Sequence, residues 1–257
     1  MKNRPSIQLS YFISTVVFVL LLVGVNGTIE SFMLPQESKA TIRESSSVHD
    51  SSVIQKLNNR QPVTIVSYGD SITWGYERDP VTGRVTQVKN PYPKILEYEL
   101  RKKFGYRHIK VINRGHPGWT SIQALENIEK EVLSYHPDLV ILMFGINDAR
   151  GHLKYSPHSL PVPVEQYKEN NEHLLRELQE KEIEVVIISA TTFTSKKNNA
   201  NLNQAHYTNT ISSLAKEKNI HYINGSEIPI KNNLKDGIHF KPEQYKLIAE
   251  KIMSELF

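Results

Sequence analysis

The sequence predicts an α/β fold, a parallel β-sheet covered by helices on both faces, and three observations carry that expectation. Short apolar, β-branched runs alternate with longer stretches whose apolar residues recur at helical spacing. The strand-like runs are apolar almost throughout, the pattern of strands buried on both sides. The chain has 257 residues, enough for one domain with a sizeable core behind a leader.

Taken in order, Lys2 and Arg4 precede an uncharged, mostly apolar run from Tyr11 to Val25, followed by Asn26-Gly27-Thr28. A basic start and a short apolar segment mark residues 1–27 as a secretory signal, with Val25 and Gly27 small enough to permit cleavage after Gly27. The run is short against the roughly 20 residues of a spanning helix. Extended from Ile7 it becomes the alternative, an uncleaved membrane tether over residues 7–25. Either way the positive start stays inside and the rest of the chain is extracytoplasmic, secreted or anchored. Residues 28–60 read as a flexible spacer: Ser45-Ser46-Ser47, Ser51-Ser52 and scattered charges bury too little surface to pack. A short helix over Val53 to Leu57 is its one ordered feature.

The folded part is expected over residues 61–257. Its strands are Val63–Ser67, Ile109–Asn113, Leu139–Met143, Val185–Ser189 and His221–Ile223, each a short β-branched or aromatic run. Between them lie helices over Tyr92–Phe104, Ser121–Ser134, Val164–Glu180 and Asn203–Lys218. A last helix opens at Pro242 and runs to about Leu256, with Ile248, Ile252 and Leu256 on one face. The net charge of +4 and pI near 9.0 come from Lys and Arg interleaved with Glu on helical faces such as Glu97 to Lys103 and Glu172 to Lys181. That is a solvated surface and not a nucleic-acid footprint. Zero cysteines exclude disulfides and thiolate metal sites.

Four short motifs carry the chemistry. Gly69-Asp70-Ser71 follows the first strand. The second runs through Val111-Ile112-Asn113-Arg114-Gly115 into His116-Pro117-Gly118-Trp119-Thr120-Ser121. The third ends in Gly145-Ile146-Asn147-Asp148, and Asp236-Gly237-Ile238-His239 lies near the C-terminus. An Asp three residues before a His can hold the imidazole in one tautomer, leaving its other nitrogen to take a proton from a serine. Serine needs such a base, being a poor nucleophile at neutral pH. Singly, each motif reads as an ordinary turn or helix cap. Four in this order, three of them at strand ends where α/β sheets bind ligands, point to acyl transfer or hydrolysis instead.

The ordered set GDS, G-x-T-S, G-x-N-D and D-x-x-H resembles the SGNH (GDSL-type) hydrolase family from about Val63 to Phe257, with no departure at the motif positions. The resemblance implies a three-layer α/β/α sandwich around a five-stranded parallel, flavodoxin-like sheet with strand order 2-1-3-4-5. It implies Ser71 as nucleophile, His239 as general base and Asp236 as its orienting carboxylate. Gly118 and Ser71 become oxyanion donors through backbone N–H groups, and Asn147 through its side-chain amide. Asp70 and Asp148 are read as structural hydrogen-bonders. No cofactor and no metal are expected. The activity implied is that of an exported carboxylic ester hydrolase, an esterase or lipase, cleaving short O-acyl or acetyl esters on a small-molecule, carbohydrate or lipid partner.

Three rival readings are weighed against it. An O-acyltransferase or deacetylase of surface polysaccharide would share the chemistry. A metal-dependent phosphoesterase would use Asp70, Asn147, Asp148 and His239, though these motifs place few further His or carboxylate ligands. A silent carbohydrate-binding module is disfavoured by the complete catalytic set. No Gly-x-Ser-x-Gly elbow occurs, since Thr73 stands at the second glycine, which argues against an ordinary α/β-hydrolase. Trp74 and Tyr76 are read as core packing or acyl-pocket lining. His152 and Tyr155 lie in a proline-punctuated loop beside the site or on the surface.

Overall fold

A computed structural model of the chain describes residues 51–79, 81–150, 161–192, 200–230 and 236–257. The expected leader, its tether segment and most of the spacer lie outside the described residues, as do His152 and Tyr155. Among the described residues no helix is long and apolar enough to cross a membrane.

The sheet is built from β1 (Val63–Gly69), β4 (Ile109–Gly115), β5 (Leu139–Met143), β6 (Glu184–Ile188) and β7 (His221–Ile223), all parallel, in the order β4-β1-β5-β6-β7. In sheet-strand terms this is the expected 2-1-3-4-5. A two-stranded ribbon, β2 (Tyr76–Arg78) and β3 (Val85–Gln87), stands apart from it. Two helical layers enclose the sheet, and alternation along the strands assigns side chains to each. Val63 and Ile65 of β1, with Leu139, Ile141 and Met143 of β5, join the core beneath α3 (Tyr92–Phe104) and α9 (Tyr245–Leu256). Val66 and Tyr68 of β1, with Val140 and Leu142 of β5, face α7 (Val164–Gln179) and α8 (Ala200–Glu217). Every residue of β5 is buried, as its unbroken apolar run requires of a central parallel strand.

The structure differs from the sequence reading in two places. Helix α1 (Ser52–Asn58) belongs to the packed unit and not to a loose spacer: Val53 and Leu57 are fully buried beside Val63 and Leu100. Glu184, at the start of β6, accepts from the Ser51 and Ser52 hydroxyls and the Val53 N–H, while Lys56 pairs with Asp138. The folded unit therefore begins by Ser51, ahead of residue 61. The helix expected over Ser121–Ser134 breaks into α4 (Ser121–Glu126), α5 (Ile128–Glu131) and a 3-10 turn at Leu133–Tyr135. Asn127 causes the first break: its side chain bonds back to the Gln123 carbonyl while its backbone leaves the helical region. Asn competes with helical backbone in this way, whereas apolar periodicity registers only which residues are buried.

Candidate active site

The site is assembled at the carboxyl ends of β1, β4 and β5. At the end of β1 the chain turns sharply into α2 (Ser71–Trp74), capped by Asp70, whose carboxylate accepts from the Ile72 N–H at 2.8 Å. This turn sits so tightly on β4 that a Cβ at Gly115 would lie 2.0 Å from the Trp74 nitrogen. Only glycine leaves that space open. Asn113 of β4 completes the junction: its amide donates to the Thr73 and Trp74 carbonyls and its oxygen accepts from the Gly115 N–H.

Ser71 emerges from this junction, buried, with its Oγ 2.8 Å from His239 Nε2. His239 Nδ1 lies 2.7 Å from Asp236 Oδ2, and Asp236 Oδ1 accepts from the Ile238 and His239 N–H groups at 2.9 and 3.0 Å. Burial works against ionisation of Asp236, but the His239 hydrogen bond and charge, with the two backbone donors, bring its carboxyl down to about 2. An ionised carboxylate can only accept, so Nδ1 carries the ring proton and Nε2 is left to accept from the Ser71 hydroxyl. The three residues named from the sequence are thus brought into one hydrogen-bonded line. Tyr76 lies flat against the imidazole, ring centroids 3.7 Å apart and planes within 15°. Of the two readings of Tyr76, neither foresaw this contact.

Gly118 and Asn147 come from the neighbouring strand ends. His116-Pro117-Gly118-Trp119 is a β-turn closed by the Trp119 N–H on the His116 carbonyl, with Gly118 at φ 86°. Proline followed by a positive-φ glycine is the preference of a type II turn. A Cβ at Gly118 would meet no atom within 4 Å, so the turn faces open space there. Asn147, on α6 (Ile146–Arg150), donates to the Trp119 carbonyl at 2.8 Å and locks the two loops together. Asp148 beside it reaches the other way and accepts from both the N–H and the hydroxyl of Ser121 at 2.9 and 2.6 Å. Ser121 is held in turn by the Asn170 amide of α7.

Behind the turn is a group that no motif announced. Glu131 is 2 % exposed, pairs with Arg114, and takes a 2.9 Å hydrogen bond from His116, whose ring stacks on Trp119 at 3.8 Å. Burial, aided by the Arg114 and Lys130 cations, depresses the His116 pKa to about 4, so the ring is neutral and Nε2 carries the donated proton. One acid among Glu126, Glu129 and Glu131 in a helix-like run reads as solvated, so nothing in the sequence marked Glu131 as buried.

Two further carboxyls lie beneath the site. Burial pushes Asp70 up to about 7 and Asp148 up to about 6, each partly opposed by the hydrogen bonds it accepts. Asp148 raises Asp70 further, and the nearby Arg150 cation partly offsets that rise. Burial lowers Arg150 itself, against the pull of the Asp236 and Asp70 carboxyls. Among the described residues no group of three or more His, Cys, Asp or Glu is arranged to hold a metal. A cavity of about 440 Å³ lies at the opposite, amino ends of the strands, bordered by Ser52, Leu139, Glu184 and His221, and is separate from this chemistry.

Comparison with known proteins agrees with this architecture. A family model described as the GDSL-like lipase/acylhydrolase family matches residues 67–247. No curated protein matches the chain in sequence. Among solved structures, the acetyl xylan esterase AlAXEase superposes with a TM-score of 0.61 at 20% identity, over 76% of this chain and all of its own. The lipase/acylhydrolase from Enterococcus faecalis gives 0.58 at 24% identity over 76% and 95%. A catalytic mutant of Axe2, an acetylxylan esterase from Geobacillus stearothermophilus, gives 0.59 at 18% over 76% and 94%. At these identities the likenesses speak to the fold.

Proposed function

The chain belongs to the GDSL-like lipase/acylhydrolase family and is a carboxylic ester hydrolase, and from that premise we propose that it works through a Ser71–His239–Asp236 triad and an acyl-enzyme. The supporting observation is the unbroken line from Ser71 Oγ to His239 Nε2 at 2.8 Å and from Nδ1 to Asp236 at 2.7 Å. His239 takes the Ser71 proton as Oγ attacks the ester carbonyl, and Asp236 stabilises the imidazolium that forms. The proton then passes to the departing alkoxide. Water, deprotonated by the same nitrogen, releases the acid and restores Ser71.

Negative charge on the tetrahedral oxygen falls to the Ser71 and Gly118 N–H groups and the Asn147 amide. The bond from Asn147 to the Trp119 carbonyl fixes that amide's orientation. We assign its second hydrogen to the oxyanion. The phosphoesterase reading is disfavoured because His239 commits both ring nitrogens to Asp236 and Ser71, leaving no lone pair for a metal.

The substrate we propose is an acetyl or other short acyl ester, a carbohydrate ester foremost. Two of the structural likenesses are to acetyl xylan esterases, at 18–20% identity. The basic start and apolar run at residues 2–25 support export, as a cleaved signal or a tether. Both the triad and the substrate are tested with the full chain on acyl esters of increasing length, with an acetylated oligosaccharide present as donor and acceptor. Acetate release should dominate, turnover should fall with chain length, and a serine-directed phosphonate should label Ser71. Predominant acyl transfer to sugar would make the protein a transferase. Labelling elsewhere would overturn the triad.

A further inference from the structure

The general base has one covered face, and what covers it is not part of the triad. Tyr76 begins the β2–β3 ribbon directly after the α2 turn, and its ring lies parallel to the His239 imidazole at 3.7 Å. Asp236 and Ser71 hold the imidazole only along its edge, through its two nitrogens. Hydrogen bonds at two edge atoms leave the ring free to rock about the line that joins them. A flat ring at van der Waals distance removes that freedom.

The covering ring is itself secured at both ends. The Tyr245 hydroxyl, fully buried on α9, donates to the Tyr76 carbonyl at 2.7 Å. The Arg78 guanidinium donates to the Tyr76 hydroxyl at 3.3 Å, and the Gln87 amide ties the ribbon to the Trp74 carbonyl at 2.7 Å. The nucleophile's own turn and the C-terminal helix thus both hold the surface against which His239 rests.

We infer that Tyr76 is a positioning residue, a fixed aromatic wall that keeps the His239 imidazole aligned on Ser71 and shields one face of its transient positive charge from water. Facing that imidazole are Asp236 on its own loop and Ser71 on α2. Tyr76 lies on the ribbon, and Tyr245 is behind it on α9. The charges of Asp70, Arg150 and Glu77 sit further out in the same neighbourhood. An imidazolium gains from the negative face of a π-system, so the wall favours the proton-bearing state through which every acyl transfer passes. Misplacing a catalytic group by a fraction of an ångström costs rate and not affinity.

This inference rests on the triad reading, and its test separates the two. Tyr76→Leu keeps an apolar side chain but no flat face, whereas Tyr76→Phe keeps the face and loses only the hydroxyl. In the full chain, Tyr76→Leu should lower kcat by about ten-fold with KM changed less than about three-fold. It should slow inactivation by a small serine-directed phosphonate by a similar factor, because that reagent reports Ser71 activation without the substrate's alcohol or sugar. Tyr76→Phe should restore both rates to within about three-fold of the parent. A Tyr76→Leu enzyme with raised KM alone, or with unchanged phosphonate reactivity, would make Tyr76 a substrate contact and overturn the inference while leaving the triad standing. A parent enzyme whose Ser71 the phosphonate does not label would overturn both together.

Discussion

Ser71 and His239 end 2.8 Å apart, yet the molecule holds them by opposite means. Ser71 is set by the core. Its turn is pressed onto Gly115, bridged by the Asn113 side chain, and underlain by the buried carboxyl of Asp70. His239 is set mainly by its own loop: one carboxylate three residues away takes its Nδ1–H and its backbone N–H, and the one remote contact is the Tyr76 ring of the β2–β3 ribbon across its face. Packed interiors transmit a change in volume to their neighbours, whereas a short local loop confines it. Damage on the nucleophile's side should therefore appear in stability as well as rate, and damage on the base's side in rate alone.

The largest effects test that division directly. Ser71→Ala and His239→Ala should each lower kcat by about 10⁴–10⁶, and the double variant should be little worse, because the two act as one unit. Additive losses would mean that they act separately. Asn147→Ala comes next, with a loss of roughly 10²–10³ in kcat and a smaller change in KM, as for one oxyanion donor. Asn147 also joins α6 to the Trp119 turn, so its variant should melt earlier than His239→Ala does. A change in KM alone would make Asn147 a ground-state contact.

The same contrast explains what could be foreseen. Strands β1, β4 and β5 were legible because each is a short β-branched run closed by a glycine-containing turn. The hydrogen-bonded line of Ser71, His239 and Asp236, proposed as the triad, could be named in advance because such chemistry demands particular residue types in one order. The wall that Tyr76 forms was hidden: stacking depends on where the β2–β3 ribbon lies in space, and an aromatic after a strand reads equally as core or pocket. Glu131 was hidden because its partners Arg114 and His116 are more than a helical turn away along the chain. Helix α1 looked like spacer because its burial hangs on two residues, Val53 and Leu57, flanked by serines and charges that find partners on Glu184 and Asp138. Periodicity reports local facing, and partners remote in sequence leave no mark on it.

The buried carboxyls beneath Ser71 give the nucleophile's side a pH signature that the base's side lacks. Burial raises Asp70 to about 7 and Asp148 to about 6, well above their unfolded values. Their contribution is complete below about pH 4 and is lost as pH rises through 6 to 7, since the unfolded chain then releases protons the folded one keeps. Asp236 has the opposite sign: held at about 2, its contribution is present above about pH 4 and is lost only as pH falls toward 2. The two together predict maximal stability near pH 3–4 and a fall on the order of 6 kcal/mol by pH 8. Asp148→Asn keeps an oxygen for Ser121 but cannot ionise, so it should flatten part of that decline. Thermal melts across pH 4 to 8 check this, and a parent melting temperature rising over the range would contradict it.

Gly115→Ala is expected to have the smallest effect and separates the two sides most cleanly. One methyl group there would lie 2.0 Å from the Trp74 nitrogen and 2.5 Å from its Cα, both backbone atoms that no rotamer change can move aside. The α2 turn must shift or β4 must bend. Overpacking of this kind costs roughly 1–3 kcal/mol, or about 3–10 °C for a domain of this size. Ser71 rides on the same turn, so its Oγ should move off the His239 nitrogen and kcat should fall alongside stability. His239→Ala is the control: it removes more atoms and far more activity, yet should lower the melting temperature less than Gly115→Ala does. If the glycine variant melted like the parent and the histidine variant did not, the core would be holding the base and a local loop the nucleophile, the reverse of the division drawn here.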